Sequence, residues 1–175
     1  RIPSDQDFIN LENFLGLPES EQLNFGFRGA DQNIGGRLKS DSGWNSPNLG
    51  ATNETGFSAI PSGYIKEEDG NSYDTFDTAY FWTSDGFVRT LDYATNGIAR
   101  YEASIGGTSA IHIDNFYSVR CVRDAISGCT DELACNYNPL AETDDGSCDL
   151  NGSNWYVSAE NGSDSNCGSL EYPFQ

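Results

Sequence analysis

The sequence predicts an α+β fold: one main amphipathic helix, then antiparallel strands set among long loops, then a disulfide-containing linker. Three observations predict it. A capped apolar stripe occupies the first sixteen residues, turn-punctuated β-rich runs begin at Tyr80, and four of the five cysteines lie beyond residue 124. The 175 residues suffice for one ordinary domain plus appendages, and 10 Phe, 9 Tyr and 3 Trp can fill a core. The 19 Gly, with abundant Asn, Asp and Ser, favour turns over a helical bundle.

The helix comes first. In residues 4–16, SDQDFINLENFLG, Ser4 is a good N-cap because its hydroxyl can accept from the open amides of the first turn. Asp5 and Asp7 follow at the positive end of the helix dipole. Phe8, Leu11 and Leu15 recur at i, i+3 and i+7, and Phe14 is expected to widen that stripe. Gly16 can end the helix, and Pro18 prevents its resumption.

Residues 17–63 read as loop-rich, with LNFGFRG a candidate strand and GGRLKSDSGWNSPNLGATNETGFSAIPSGY mostly irregular. Trp44, Phe57 and Tyr64 are expected to pin these loops to the core, and such a region on a rigid scaffold is a common seat of binding. From Tyr80 the strand pattern strengthens. YFWTS and FVRTLDY flank an Asp85-Gly86 turn; FVRTLDY and IARYEA flank ATNG, where Asn96-Gly97 is a strong hairpin signal. AIHIDNFYSVRCVRD reads as a further strand pair, alternating at its end Tyr117, Val119, Cys121 with Ser118, Arg120, Val122. The aromatic residues of these strands read as core.

The net charge of -18 argues against nucleic acid or an anionic bilayer as partner, since phosphate binding requires Lys and Arg. All nine Lys and Arg lie at or before Arg123, whereas residues 125–175 carry nine acids, half of the net charge. That shift marks a boundary near residue 124. No apolar run approaches the ~18–20 residues of a membrane span, and no signal peptide is visible. With Arg first and no Met, the chain is expected to be an internal piece of a longer one. Five cysteines, mostly in a small acidic region, suit an oxidising compartment.

Gly128–Cys148, GCTDELACNYNPLAETDDGSC, holds three cysteines and five carboxylates without one Lys or Arg. Asp131, Asn136, Asp144 and Asp145 offer hard oxygen ligands of the kind calcium takes, so Ca²⁺ is the candidate cofactor. The competing reading makes these acids a solvated turn surface around disulfides. Zinc is disfavoured, because cysteines six and thirteen apart with one histidine in the chain make no Cys-x2-Cys knuckle. Disulfides are the better use of Cys129, Cys135 and Cys148. Three cysteines leave one looking outward, with Cys167 the nearest candidate partner; the connectivity stays open. Catalysis has little support: His112 stands beside no Ser or Cys elbow, and in so acidic a chain carboxylate pairs are weak evidence for a glycosidase.

RIPSDQDFINLENFLG, GGRLKSDSGW, TNETGFSAIPSGY, AYFWTSD and YSVRCVRD, in that order, resemble the Fibrobacter succinogenes major paralogous domain over about residues 1–124. That resemblance implies an extra cysteine upstream as the partner of Cys121. The opening and closing motifs are also similar to formylglycine-generating enzymes, implying a C-type-lectin-like fold whose terminal strand returns beside the first. The active cysteines of those enzymes have no counterpart in residues 1–120, and Ser46-Pro47-Asn48 and Ile113-Asp114-Asn115 only faintly echo the lectin calcium triplet. Residues 125–150 resemble a cysteine-containing repeat of large secreted Bacteroidota proteins. Residues 151–175, with NWYVSAENGSDSNCGSLEYPFQ, look like the opening of a right-handed parallel β-helix. Asp77-Thr78-Ala79 fits the O-glycosylation acceptor pattern of secreted Bacteroidota proteins, making Thr78 the candidate acceptor.

Together these resemblances imply a non-catalytic module of an extracellular or cell-surface protein, an adhesin or fibre. Its expected partners are glycans or other cell-surface proteins, with self-association into fibres and no membrane insertion. Two alternatives are a targeting or anchoring module of a secreted β-helix polysaccharide-degrading enzyme and a filament-forming structural subunit.

Overall fold

The computed structural model describes residues 1–104, 111–150, 155–163, 167, 168, 170 and 172–175. The chain divides into two compact units, Arg1–Val122 and Arg123–Gln175. Among the described residues no helix is long and apolar enough to cross a membrane.

In the first unit, helix α1 spans Asp5–Phe14. Ser4 Oγ accepts from the Asp7 amide at 3.2 Å while the Asp7 carboxylate accepts from the Ser4 amide at 2.7 Å, a reciprocal cap. The Arg1 guanidinium grips Asp7 at 2.6 and 3.0 Å, and that pairing, with the Ser4 bonds, holds the Asp7 carboxyl well below the usual carboxylate range. At the other end Gly16 adopts φ +97°, the Gly16 amide donates to Asn13 O, and the Leu17 amide reaches back to Glu12 O, both at 2.9 Å. This is a Schellman stop, and buried Leu17 seals it.

The core-facing stripe is Phe8, Ile9, Glu12 and Leu15, with Leu11 half-buried beside it. Phe14, expected on that stripe, is 87% exposed. At about 100° per residue it falls on the far side from Phe8, and Ile9 and Glu12 take the inward positions instead.

Strands β1 (Gly26–Arg28), β4 (Thr78–Trp82), β5 (Phe87–Asp92) and β6 (Ile98–Glu102) form an antiparallel sheet in the order β1-β6-β5-β4. A hairpin of β2 (Tyr64–Ile65) and β3 (Ser72–Tyr73) stands apart from it in pairing. The first face of the sheet packs Ala79, Phe81, Leu91 and Ile98 against Phe8, Leu15, Ile34 and Leu38. Trp44 and Phe57 pack onto this cluster from the long loops. The expected strand pair at 110–124 is not formed among its described residues: 111–122 contributes isolated bridges, Phe116 to Ile65 and Ser118 to Phe81, because its amides are spent one at a time on different neighbours.

The β5–β6 connection is not a two-residue turn. Asn96 uses its carbonyl to accept from the Gly35 and Gly36 amides, at 2.8 and 3.1 Å. Those glycines open a short helix α2, Ile34–Leu38, in a stretch that reads as irregular. A Cβ on Gly35 would lie 1.9 Å from Gly97 O, so close backbone approach decides this structure against poor helix propensity.

Charges are buried deeply around α1. Glu12 accepts from Arg89 Nε at 2.7 Å and from an Arg28 amino group at 2.5 Å; Asp5 accepts from Arg89 and Arg100, each at 2.7 Å. Burial pushes the Asp5 carboxyl up, yet the hydrogen bonds from Arg100 and Arg89 outweigh it and hold it below its ordinary value. The Asp5 amide also donates to the Asp85 carboxylate at 2.9 Å, so the β4–β5 turn caps the helix that lies on its sheet. Lys39, fully buried, donates from Nζ to the carbonyls of Leu49, Asp92 and Thr95, each at 2.9 Å, and lies 5.4 Å from the Trp44 ring centre. Burial lowers its amine to about 8, leaving it mostly protonated at neutral pH. One ammonium thereby ties the long loop to the end of β5 and to the middle of the β5–β6 connection.

In the second unit, β7 (Ser127–Gly128) pairs in parallel with β8 (Thr143–Asp144), and Arg123 pairs with Glu142. Disulfides join Cys129 to Cys148 and Cys135 to Cys167. Of the stretch expected to open a β-helix, residues 151–154, 164–166, 169 and 171 lie outside the described residues. Val157 bridges Phe174 in parallel, and the Trp155 and Phe174 rings stack at 5.7 Å.

Candidate functional site

The alternation of the four strands sends a second set of side chains to the face opposite α1. Phe27, Ala99, Thr90 and Tyr80 align in one row across β1, β6, β5 and β4, through the pairs Phe27–Ala99, Thr90–Ala99 and Tyr80–Thr90. Tyr101, Val88 and Trp82 form the next row on one side, and Asp92 and Thr78 pair on the other.

Part of this face is covered. Tyr64, Tyr80, Trp82 and Tyr117 pack with ring centres 5.0–5.9 Å apart, and Ile111 and Val88 complete the cluster. Tyr80 donates its hydroxyl to Asp74 at 2.6 Å; burial and that bond raise its pKa, so it remains a phenol. Burial likewise raises Tyr117, whose hydroxyl donates to His112 O at 3.0 Å.

Beside that cluster lies a hollow, whose wall residues Thr78, Thr90 and Ile111 are themselves buried. A cavity of about 230 Å³ is lined by Phe27, Thr78, Thr90, Asp92, Tyr101 and Ile111, with Tyr80 at its edge. The Asp92 carboxylate is held from two sides: one oxygen accepts from the Ala94 amide at 2.8 Å, the other from the Thr78 hydroxyl at 3.2 Å. Hydroxyl, carboxylate and aromatic groups thus share one small hollow. Alternation along FVRTLDY could have placed Thr90 and Asp92 on one face, but two polar residues there read simply as the solvent side of a strand. Tyr101 reads as core, and Phe27 only as part of a candidate strand.

Thr78 belongs to this wall. It is buried, and its hydroxyl is committed to Asp92, so an O-glycosyl transfer to it would require β4 to open first. The acceptor tripeptide registers local sequence and not the sheet that encloses it.

A second cavity of the first unit, about 270 Å³, lies along α1 and is lined mainly by Phe8, Leu11, Phe57, Arg120, Cys121 and Val122. Cys121 there is free and exposed.

Of the four calcium candidates, Asp144 and Asp145 share one turn, Asn136 is bonded to the chain that follows it, and Asp131 sits in another turn. One oxygen each of Asp131, Asp144 and Asp145 accepts from the amide two residues ahead, at 2.9, 3.1 and 2.9 Å. The Asn136 side chain bridges strands of chain instead, accepting from the Asp149 amide and donating to Ser147 O, both at 2.7 Å. Among the described residues no three His, Cys, Asp or Glu side chains gather as a metal-binding group.

The chain belongs to the Fibrobacter succinogenes major domain family, whose model matches residues 1–123. Comparison with curated proteins and with solved structures gives no match.

Proposed function

We propose that the chain is a non-catalytic extracellular binding module whose first unit recognises glycan through the hollow on the face of its four-stranded sheet opposite α1. One observation carries this reading: the hollow that combines Thr78, Thr90 and Asp92 with the rings of Phe27 and Tyr101. Carboxylate and hydroxyl groups exchange hydrogen bonds with sugar hydroxyls, and aromatic faces cover the apolar faces of sugar rings. Small-molecule sites typically pair such apolar walls with a few placed polar groups. Disulfides in the second unit support an oxidising, extracellular setting.

On this reading the first unit is C-type-lectin-like. Support comes from the pairing of its ends, where the Arg1 amine donates to Val122 O and the Val122 amide to Arg1 O, both at 2.9 Å. The second unit is a Bacteroidota-type cysteine repeat leading toward a β-helix, in keeping with Cys129–Cys148 closing around the whole repeat. Calcium binding there is also a proposal. It would draw the uncommitted oxygens of Asp131, Asp144 and Asp145 together at an affinity of about 10⁻⁴–10⁻³ M. Protease resistance of that unit unchanged by chelation refutes it.

A glycan array probed with the full chain tests the module. Retention on defined glycans is expected; retention on none, at protein concentrations up to the millimolar range, overturns the glycan reading.

A further inference from the structure

We infer that the hollow on the sheet face opposite α1 seats a single uncharged pyranose ring, so that the module selects neutral glycans over uronate-bearing or sulfated ones. This rests on the glycan reading above and narrows it to a ligand class.

Size sets the first limit. At about 230 Å³ the cavity falls below the ~300–1,000 Å³ that enclose drug-sized ligands, so it matches one ring rather than a buried chain.

Charge sets the second. Asp92 is the one charged side chain among the described residues lining the hollow. The nearby Lys39 is fully buried, and its ammonium is already spent on three carbonyls. A uronate or sulfate in the hollow would therefore meet a carboxylate with no cation to offset it among the described lining residues, which is unfavourable in a partly desolvated site. An uncharged ring meets no such cost.

Preorganisation sets the third. The Ala94 amide and the Thr78 hydroxyl fix the Asp92 carboxylate before any ligand arrives. Each carboxylate oxygen keeps further lone-pair capacity, enough to accept from two neighbouring sugar hydroxyls. Thr90 is nearly fully buried, so its side chain is held by packing. Phe27, 48% exposed, supplies the ring surface. Little side-chain entropy remains to be lost on binding.

The test is an amide-resolved NMR titration of the full chain with methyl glycosides of neutral hexoses and pentoses, and separately with glucuronate and galacturonate at matched ionic strength. At least one neutral glycoside should perturb residues 78, 90, 92 and 101, and the uronates should bind at least tenfold more weakly. Phe27→Ser, at an exposed position, should weaken the neutral glycoside at least tenfold while leaving the spectrum folded; Asp92→Asn should do the same and lift the discrimination against uronates. Uronates binding this face as tightly as neutral glycosides overturn the inference but leave glycan recognition standing. Neutral glycosides perturbing only residues elsewhere overturn it in the same way. No perturbation by any sugar, together with an array that retains nothing, overturns both.

Discussion

Glu12 offers the sharpest test of how α1 is held. Its carboxylate is fully buried and takes two short bonds from guanidinium groups whose side chains are 0% and 2% exposed, Arg89 and Arg28. Glu12→Gln keeps the shape and one acceptor oxygen, but the new amide group turns a donor toward a donor. Arg89 still has Asp5, and Arg28 still has the Gln22 carbonyl, so neither guanidinium is wholly abandoned. The cluster of Asp5, Glu12, Arg28, Arg89 and Arg100 nevertheless goes from one excess positive charge to two. Breaking a buried pair in this way costs about 3–5 kcal/mol. Ordinary domains have ~5–15 kcal/mol in all. Urea unfolding followed by tryptophan fluorescence reads it, in a Trp155→Phe background so that Trp44 and Trp82 of the first unit report alone. Adding Arg28→Met removes the surplus charge, and the double variant should be more stable than the two single losses predict by roughly 1 kcal/mol or more. A cost for Glu12→Gln below about 1 kcal/mol, or strict additivity in the double variant, refutes the ion-pair account of α1 docking.

Three further outcomes follow from the same geometry. Lys39→Met leaves three partly buried carbonyls without their donor and should cost roughly 2–4 kcal/mol, with new protease cleavage appearing between residues 40 and 58. Asp5 and Asp7 both titrate below their unfolded values, so their contribution is full above about pH 4 and is lost as pH falls through the folded pKa. The melting temperature of the first unit should therefore drop steeply below pH 4, and Asp7→Asn should flatten that slope; an unchanged slope counts against the Arg1–Asp7 pairing. Reducing Cys129–Cys148, which spans a sequence separation of 19, should remove roughly 3 kcal/mol from the second unit and expose it to proteases, while the unfolding midpoint of the first unit stays fixed.

Much of the local structure was legible in residues 1–175 alone. Ser4, Asp7 and Gly16 dictate the ends of α1 through short-range chemistry, since a cap needs only neighbours in sequence. The hairpins from Thr78 to Glu102 followed from alternation and turn residues, again local signals. The two units divide between Val122 and Arg123, the last basic residue of the chain. What only the tertiary structure decided depends on partners far apart in sequence. Glu12 and Arg89 stand 77 residues apart, and each looks like an ordinary surface charge until the sheet closes on the helix. Lys39 gives no sign that it meets Asp92 and Thr95, and Gly97 is read from sequence as a turn residue although close packing against the Arg28 backbone is what requires it. The candidate site has the same origin: Phe27, Thr78, Thr90, Asp92 and Tyr101 come from four strands, and only cross-strand register brings their side chains to one face.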